Sequence, residues 1–135
     1  MSWDLALVKI SGDFRPIAEV EAEEYVPLGR DMQAICSAIR STFPTAEWSS
    51  PIWAVYAGDG FEIEFSLDDV ESVLLHVRGT GDPIPSLLRL TEGNGWFAVD
   101  CSTSEFIDPK APSYEGWEGF KSLFAGIKGR SDDES

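Results

Sequence analysis

Hydrophobic and polar positions change period along the chain, and each change marks an element. From Phe61 to Ser66, Phe61, Ile63 and Phe65 alternate with Glu62, Glu64 and Ser66, the period of two that gives a strand one apolar face. Residues 52–79 as a whole read as three antiparallel strands. Asp59-Gly60 makes the first tight turn, where glycine supplies the positive φ a hairpin needs, and Asp68-Asp69 makes the second. Upstream, residues 3–10 form a strand with Trp3, Leu5 and Leu7 in one row and Ala6, Val8 and Ile10 in the other. Both rows are apolar, which predicts a central strand covered on both faces. Residues 12–29 mix Pro16, Pro27 and Gly29 with Glu19, Glu21, Glu23 and Glu24, a composition that favours a long irregular loop, with room for a helical turn between Ile17 and Ala22.

The period lengthens over residues 30–42. Met32, Ile35, Cys36 and Ile39 recur at helical steps, and Pro44 stops that helix after Phe43. Residues 45–51 read as a polar loop into the meander. After Arg78, Asp82 and Pro83 open a second helix whose Ile84, Leu87, Leu88 and Leu90 face the core, and Gly93-Asn94-Gly95 closes it. Trp96 to Cys101 follows as a strand, with Glu105 to Asp108 as a short partner. Trp117, Phe120, Phe124 and Ile127 fall at helical spacing and predict a short docked C-terminal helix before a disordered Ser-Asp-Asp-Glu-Ser end. The result is an α+β fold in the order β-α-β-β-β-α-β-β, with a mixed, mainly antiparallel sheet and helices packed mainly on one face. The strand–helix–strand unit 71–101 predicts a right-handed crossover between parallel strands. Residues 1–108 form the single domain and 109–135 a C-terminal extension.

Of the 135 residues, 43% are hydrophobic and 12% aromatic, enough for one packed domain rather than a disordered chain. No apolar run approaches the roughly 20 residues of a membrane span. The N-terminus carries neither a basic start nor a cleavage site, and Cys36 and Cys101 stand apart as reduced thiols. These features predict a cytoplasmic protein. The net charge of −14 argues against nucleic-acid binding and favours capture of a basic partner; the acidity also serves solubility.

Several groups of residues have chemical potential. Parity places Glu62 and Glu64 on one face of the middle strand, beside His76 and Arg78 on the next. Two carboxylates, an imidazole and a guanidinium could perform acid–base work or pair across a docking surface. A metal site is not expected, because the single histidine lacks ligand spacing and Arg78 would repel a cation. Gly79-Thr80-Gly81-Asp82 precedes a helix but lacks the lysine of a phosphate loop, so it reads as a turn. Cys101 has acidic neighbours, which oppose a reactive thiolate. Trp48, Trp53, Trp96, Trp117, Tyr25, Tyr56 and Tyr114 divide between core and surface, and those on the open sheet face have interface composition.

Certain stretches also have a familiar spacing: Pro27-Leu28-Gly29, Phe43-Pro44, Trp48-Ser49-Ser50-Pro51, Gly58-Asp59-Gly60-Phe61, Leu75-His76-Val77-Arg78-Gly79, Trp96, Asp100-Cys101-Ser102-Thr103 and Glu115-Gly116-Trp117-Glu118-Gly119-Phe120. On these the chain resembles a family of small acidic bacterial proteins without assigned enzymatic activity. In size, acidity and architecture it is also similar to immunity proteins, which bind and neutralise a toxin domain. The resemblance implies no catalytic residues and no cofactor. The expected function is direct binding of a basic toxin domain by a monomer or weak dimer, with no role for nucleic acid or membrane. The contact set is Trp53, Trp96, His76 and Arg78 with Glu21, Glu23, Glu24, Glu62 and Glu64. A small hydrolase using Glu62, Glu64 and His76, and a regulatory module acting through its C-terminal helix, are the alternatives.

Overall fold

The computed structural model describes residues 2–122. Its centre is one sheet of eight strands: β1 (Trp3–Ile10), β2 (Tyr25–Val26), β3 (Glu47–Ser50), β4 (Trp53–Ala57), β5 (Phe61–Leu67), β6 (Val73–Gly79), β7 (Phe97–Asp100) and β8 (Glu105–Phe106). The spatial order is β3-β4-β5-β6-β1-β7-β8, with β2 paired to the end of β1, and these pairings are antiparallel. Helix α1 (Met32–Thr42) precedes the meander, α2 (Ile84–Asn94) links β6 to β7, and a third helix, α3, occupies 115–122. The α+β class is therefore as the sequence predicts. Strands β6 and β7 run in the same direction, as the crossover requires, but β1 lies between them and pairs with both.

One row of each strand forms the core. Trp3, Leu5 and Leu7 of β1, Ile63, Phe65 and Leu67 of β5, and Val73, Leu75 and Val77 of β6 are buried in one cluster with Ile35 and Ile39 of α1 and Leu87 and Leu90 of α2. The opposite row is open over β4, β5 and β6, whereas over β7 and β8 Phe14 packs on Phe97 and Phe106. This corrects the expectation for the first part of β1, where Asp4 is exposed and Ala6 and Val8 are half-buried, while Ile10 at the end of the same row is buried as expected.

Helix ends follow local chemistry. Asp31 caps α1 by accepting from the Ala34 N–H at 2.8 Å, and the Phe43 N–H closes the last turn on the Ile39 carbonyl at 2.8 Å. At the start of α2, Asp82 accepts from the Ile84 N–H at 3.1 Å, and the left-handed Gly95 ends the helix. The Thr80 and Gly81 N–H groups are occupied by the Gly60 carbonyl, each at 2.9 Å, which accounts for that stretch as turn chemistry. Gly79 sits there at φ +116, and an added Cβ would meet the Gly60 oxygen at 2.4 Å. Gly79→Ala is expected to destabilise the fold by at least about 2 kcal/mol, read from the midpoint of urea unfolding.

Two segments differ from expectation. Residues 47–50, read as loop, form edge strand β3, which pairs with β4 through an irregular register between Trp48 and Ser50. The segment 12–29 has the expected helical turn, at Ile17–Glu19, but adds a second 3-10 turn at Ala22–Glu24 and includes β2, where Lys9 pairs with Val26 and Ile10 with Tyr25. Both strands owe their existence to a partner's backbone rather than to their own pattern. Helix α3 docks on the core as its spacing predicts: Trp117 is fully buried and its Nε1 donates to the Gly81 carbonyl at 2.9 Å, while most of the remaining residues of 109–122 meet solvent. Phe124, Ile127 and the acidic end lie outside the described residues.

Candidate protein-binding face

The register of β4, β5, β6 and β1 builds the uncovered face. Because partners across an antiparallel ladder share a face, the pairings can be read as rows. Val55 of β4 faces Glu64 of β5, Glu64 faces His76 of β6, and His76 faces Asp4 of β1. One step along, Ala57 faces Glu62 and Glu62 faces Arg78. In the other direction, Trp53 faces Ser66, Ser66 faces Leu74, Leu74 faces Ala6 and Ala6 faces Val99. A charged row thus runs beside a largely apolar one. The apolar row contains Trp53, 37% exposed, and Leu74, 40% exposed, two of the large hydrophobic side chains most open to solvent among the described residues.

The charged row is internally bonded. Arg78 Nη1 donates to Glu64 Oε1, on a diagonal rather than to its direct partner Glu62. The His76 Nδ1 lies 2.8 Å from Asp4 Oδ1, which also accepts from the Ser2 hydroxyl. Partial burial opposes ionisation of Asp4, but the bonds from Ser2 and His76 and the positive charges of His76 and Arg78 outweigh it, so the carboxyl sits below its usual 3.8. A depressed carboxyl stabilises the fold above its unfolded value, and that contribution is lost as pH falls through the lower folded value. Asp4→Asn is accordingly expected to lower stability at neutral pH and to converge with the parent as the pH falls through the lowered folded value of Asp4, as read from unfolding curves at successively lower pH.

The predicted residues separate on this frame. Glu62, Glu64, His76, Arg78 and Trp53 come together on the open face. Trp96 does not: it is 3% exposed, and its indole N–H is spent on the Leu28 carbonyl at 2.9 Å. Its place just before β7, where the chain leaves α2, turns the ring under the 27–29 loop instead of onto the sheet. Glu21, Glu23 and Glu24 also stand apart. Their segment is fixed by Phe14, whose ring packs on Phe97 and Phe106 at centroid distances of 5.4 and 6.0 Å, on the far side of β1 from Glu62. Glu24 is committed to Arg15 and to the Glu21 N–H, while Glu21 and Glu23 are exposed. Asp4 and Leu74 join the face without having been singled out. Alternation already puts Leu74 on the row of His76 and Arg78, and it could have found Asp4 on the row of Ala6 and Val8.

The imidazole of this surface and its partly buried carboxylate are each held by a partner, and the apolar row beside them offers a desolvating contact. The Cys101 thiol is pushed up by burial and by the charges of Asp4 and Asp100, which disfavours thiolate chemistry. Among the described residues, no group of three or more His, Cys, Asp or Glu side chains is placed to hold a metal, and no helix is long and apolar enough to cross a membrane. What the geometry defines is an α+β protein whose antiparallel sheet is open on one side over β4, β5 and β6, with Phe14 packed on that side over β7 and β8. No family model matches the chain, no curated protein matches it, and no solved structure matches it.

Proposed function

We propose that this protein is a binding module that captures a basic protein domain on its open sheet face, acting as an immunity protein that neutralises an antibacterial toxin in the bacterial cytoplasm. The observation that carries the reading is the exposed Trp53–Leu74 row bordered by Glu62, Glu64, Arg78, His76 and Asp4. Apolar anchors beside polar groups are the anatomy of a protein interface. The charge of −14 speeds encounter with a basic partner and opposes association of two copies. The hydrolase reading draws less support, since Glu64 is tied to Arg78 and His76 to Asp4. The C-terminal-helix module draws less as well, since Trp117 and Phe120 are buried within their own chain.

The test is binding to a basic toxin domain encoded beside this gene. Stoichiometric binding that blocks the toxin's activity, and that is weakened by Glu62→Lys, is the expected result. Binding no tighter than that of an unrelated protein of similar acidity would remove the proposal.

A further inference from the structure

His76 is the single histidine of the chain, and it stands in the middle of the charged row. Across the two ladders it faces Glu64 of β5 on one side and Asp4 of β1 on the other. Its Nδ1 lies 2.8 Å from Asp4 Oδ1, and its side chain is 27% exposed, open to solvent protons. Arg78, two residues along β6, bonds to Glu64, and Glu62 of β5 faces Arg78. The charged groups around the imidazole are therefore Glu62 and Glu64 from β5, Asp4 from β1, and Arg78 from its own strand. The carboxylates outnumber the guanidinium, so the cluster is negative while His76 is neutral. A proton on His76 cancels part of that excess. The imidazolium is then a counter-ion held within the surface, beside the carboxylates that a lysine or arginine of a basic partner would seek.

We infer that a proton on His76 and the cation of the basic partner compete for Asp4 and Glu64, so that capture releases a proton and weakens as the pH falls. The partner's cation takes the place of the imidazolium beside the carboxylates, and the displaced proton passes to the buffer. The state that holds fewer protons gains as pH rises, and reciprocally the bound partner opposes protonation of His76. Histidine ordinarily changes charge between about pH 5 and 8, whereas carboxylates ordinarily do so below about pH 5 and arginine keeps its charge throughout. The inference rests on the open-face reading and adds a regulation to the same surface.

The test is calorimetric titration of the full chain with the basic toxin domain encoded beside this gene, at about pH 7.5 and about pH 5.5. At an intermediate pH, two buffers of different ionisation enthalpy count the protons exchanged. Affinity should be at least about threefold weaker at the lower pH, with net proton release on binding. His76→Gln keeps a polar side chain of similar reach but takes up no proton, so it should flatten the pH dependence and remove that release. The toxin's own titrating groups are common to both titrations, so the difference between the parent and His76→Gln is the quantity read. A second measurement needs no variant: in isotope-labelled chain the single imidazole resonance should titrate at lower pH in the complex than in the free protein. Proton release or pH dependence unchanged in His76→Gln, or an imidazole midpoint that stays or rises on binding, would overturn the inference and leave capture on the open face standing. Absence of capture at either pH would remove both.

Discussion

Replacing Trp117 by alanine is expected to destabilise the whole domain by about 3–5 kcal/mol, the range for losing a large buried ring. The ring is fully buried, lies 5.4 Å from Trp3 and stacks on Phe120 at 5.3 Å, and its N–H satisfies the Gly81 carbonyl. Truncation removes all three contacts and leaves a void between α3 and β1. The same helix approaches the sheet closely at Gly116, where an added Cβ would come within 1.8 Å of the Asp100 carboxylate, so α3 has little room to collapse into the gap. Urea unfolding should show a single transition with a lower midpoint and an unchanged slope. If α3 were a loosely attached extension, the midpoint would stay where it is.

The second large effect concerns binding. Trp53→Ala and Leu74→Ala should each leave stability within about 0.5 kcal/mol of the parent, because both side chains already meet solvent. Each should weaken capture of the basic partner by about 30-fold, the loss typical of an anchor in the centre of an interface. Trp53 and Leu74 both face Ser66 across the ladder, so the double variant should lose less than the product of the two single losses. Calorimetry with the purified partner would measure these losses. Unchanged affinity in both single variants would show that the partner docks elsewhere.

Much of this arrangement was legible in the residues. Alternation in β5 and β6 placed Glu62, Glu64, His76 and Arg78 on one face, and the turn between the strands set the register that brought them together. The helical steps of α1, and the proline and glycines that delimit α1 and α2, were equally direct. What escaped prediction depends on contacts distant in sequence. Trp96 resembles a surface anchor until the Leu28 carbonyl, far away in the chain, claims its indole. Strand β3 has too few apolar residues to declare itself, and its ladder with β4 decides the matter. The pairing of β1 between β6 and β7 was similarly hidden. No local pattern says that a crossover will leave a gap and that an earlier strand will fill it.

That placement of β1 has a consequence for how the chain acquires its shape. Leu5 pairs with Leu75 on one side and with Asp100 on the other, so the first strand waits for residues that leave the ribosome much later. The β4–β5–β6 meander needs only short loops and can assemble early, whereas inserting β1 demands closure of long ones, whose entropic penalty slows the step. Folding should therefore proceed in two stages, with the hairpins gaining amide protection first and β1 joining together with β7. Until then, the flank of β6 that β1 will occupy is an unpaired edge, and this is the interval in which a nascent chain is most exposed to aggregation.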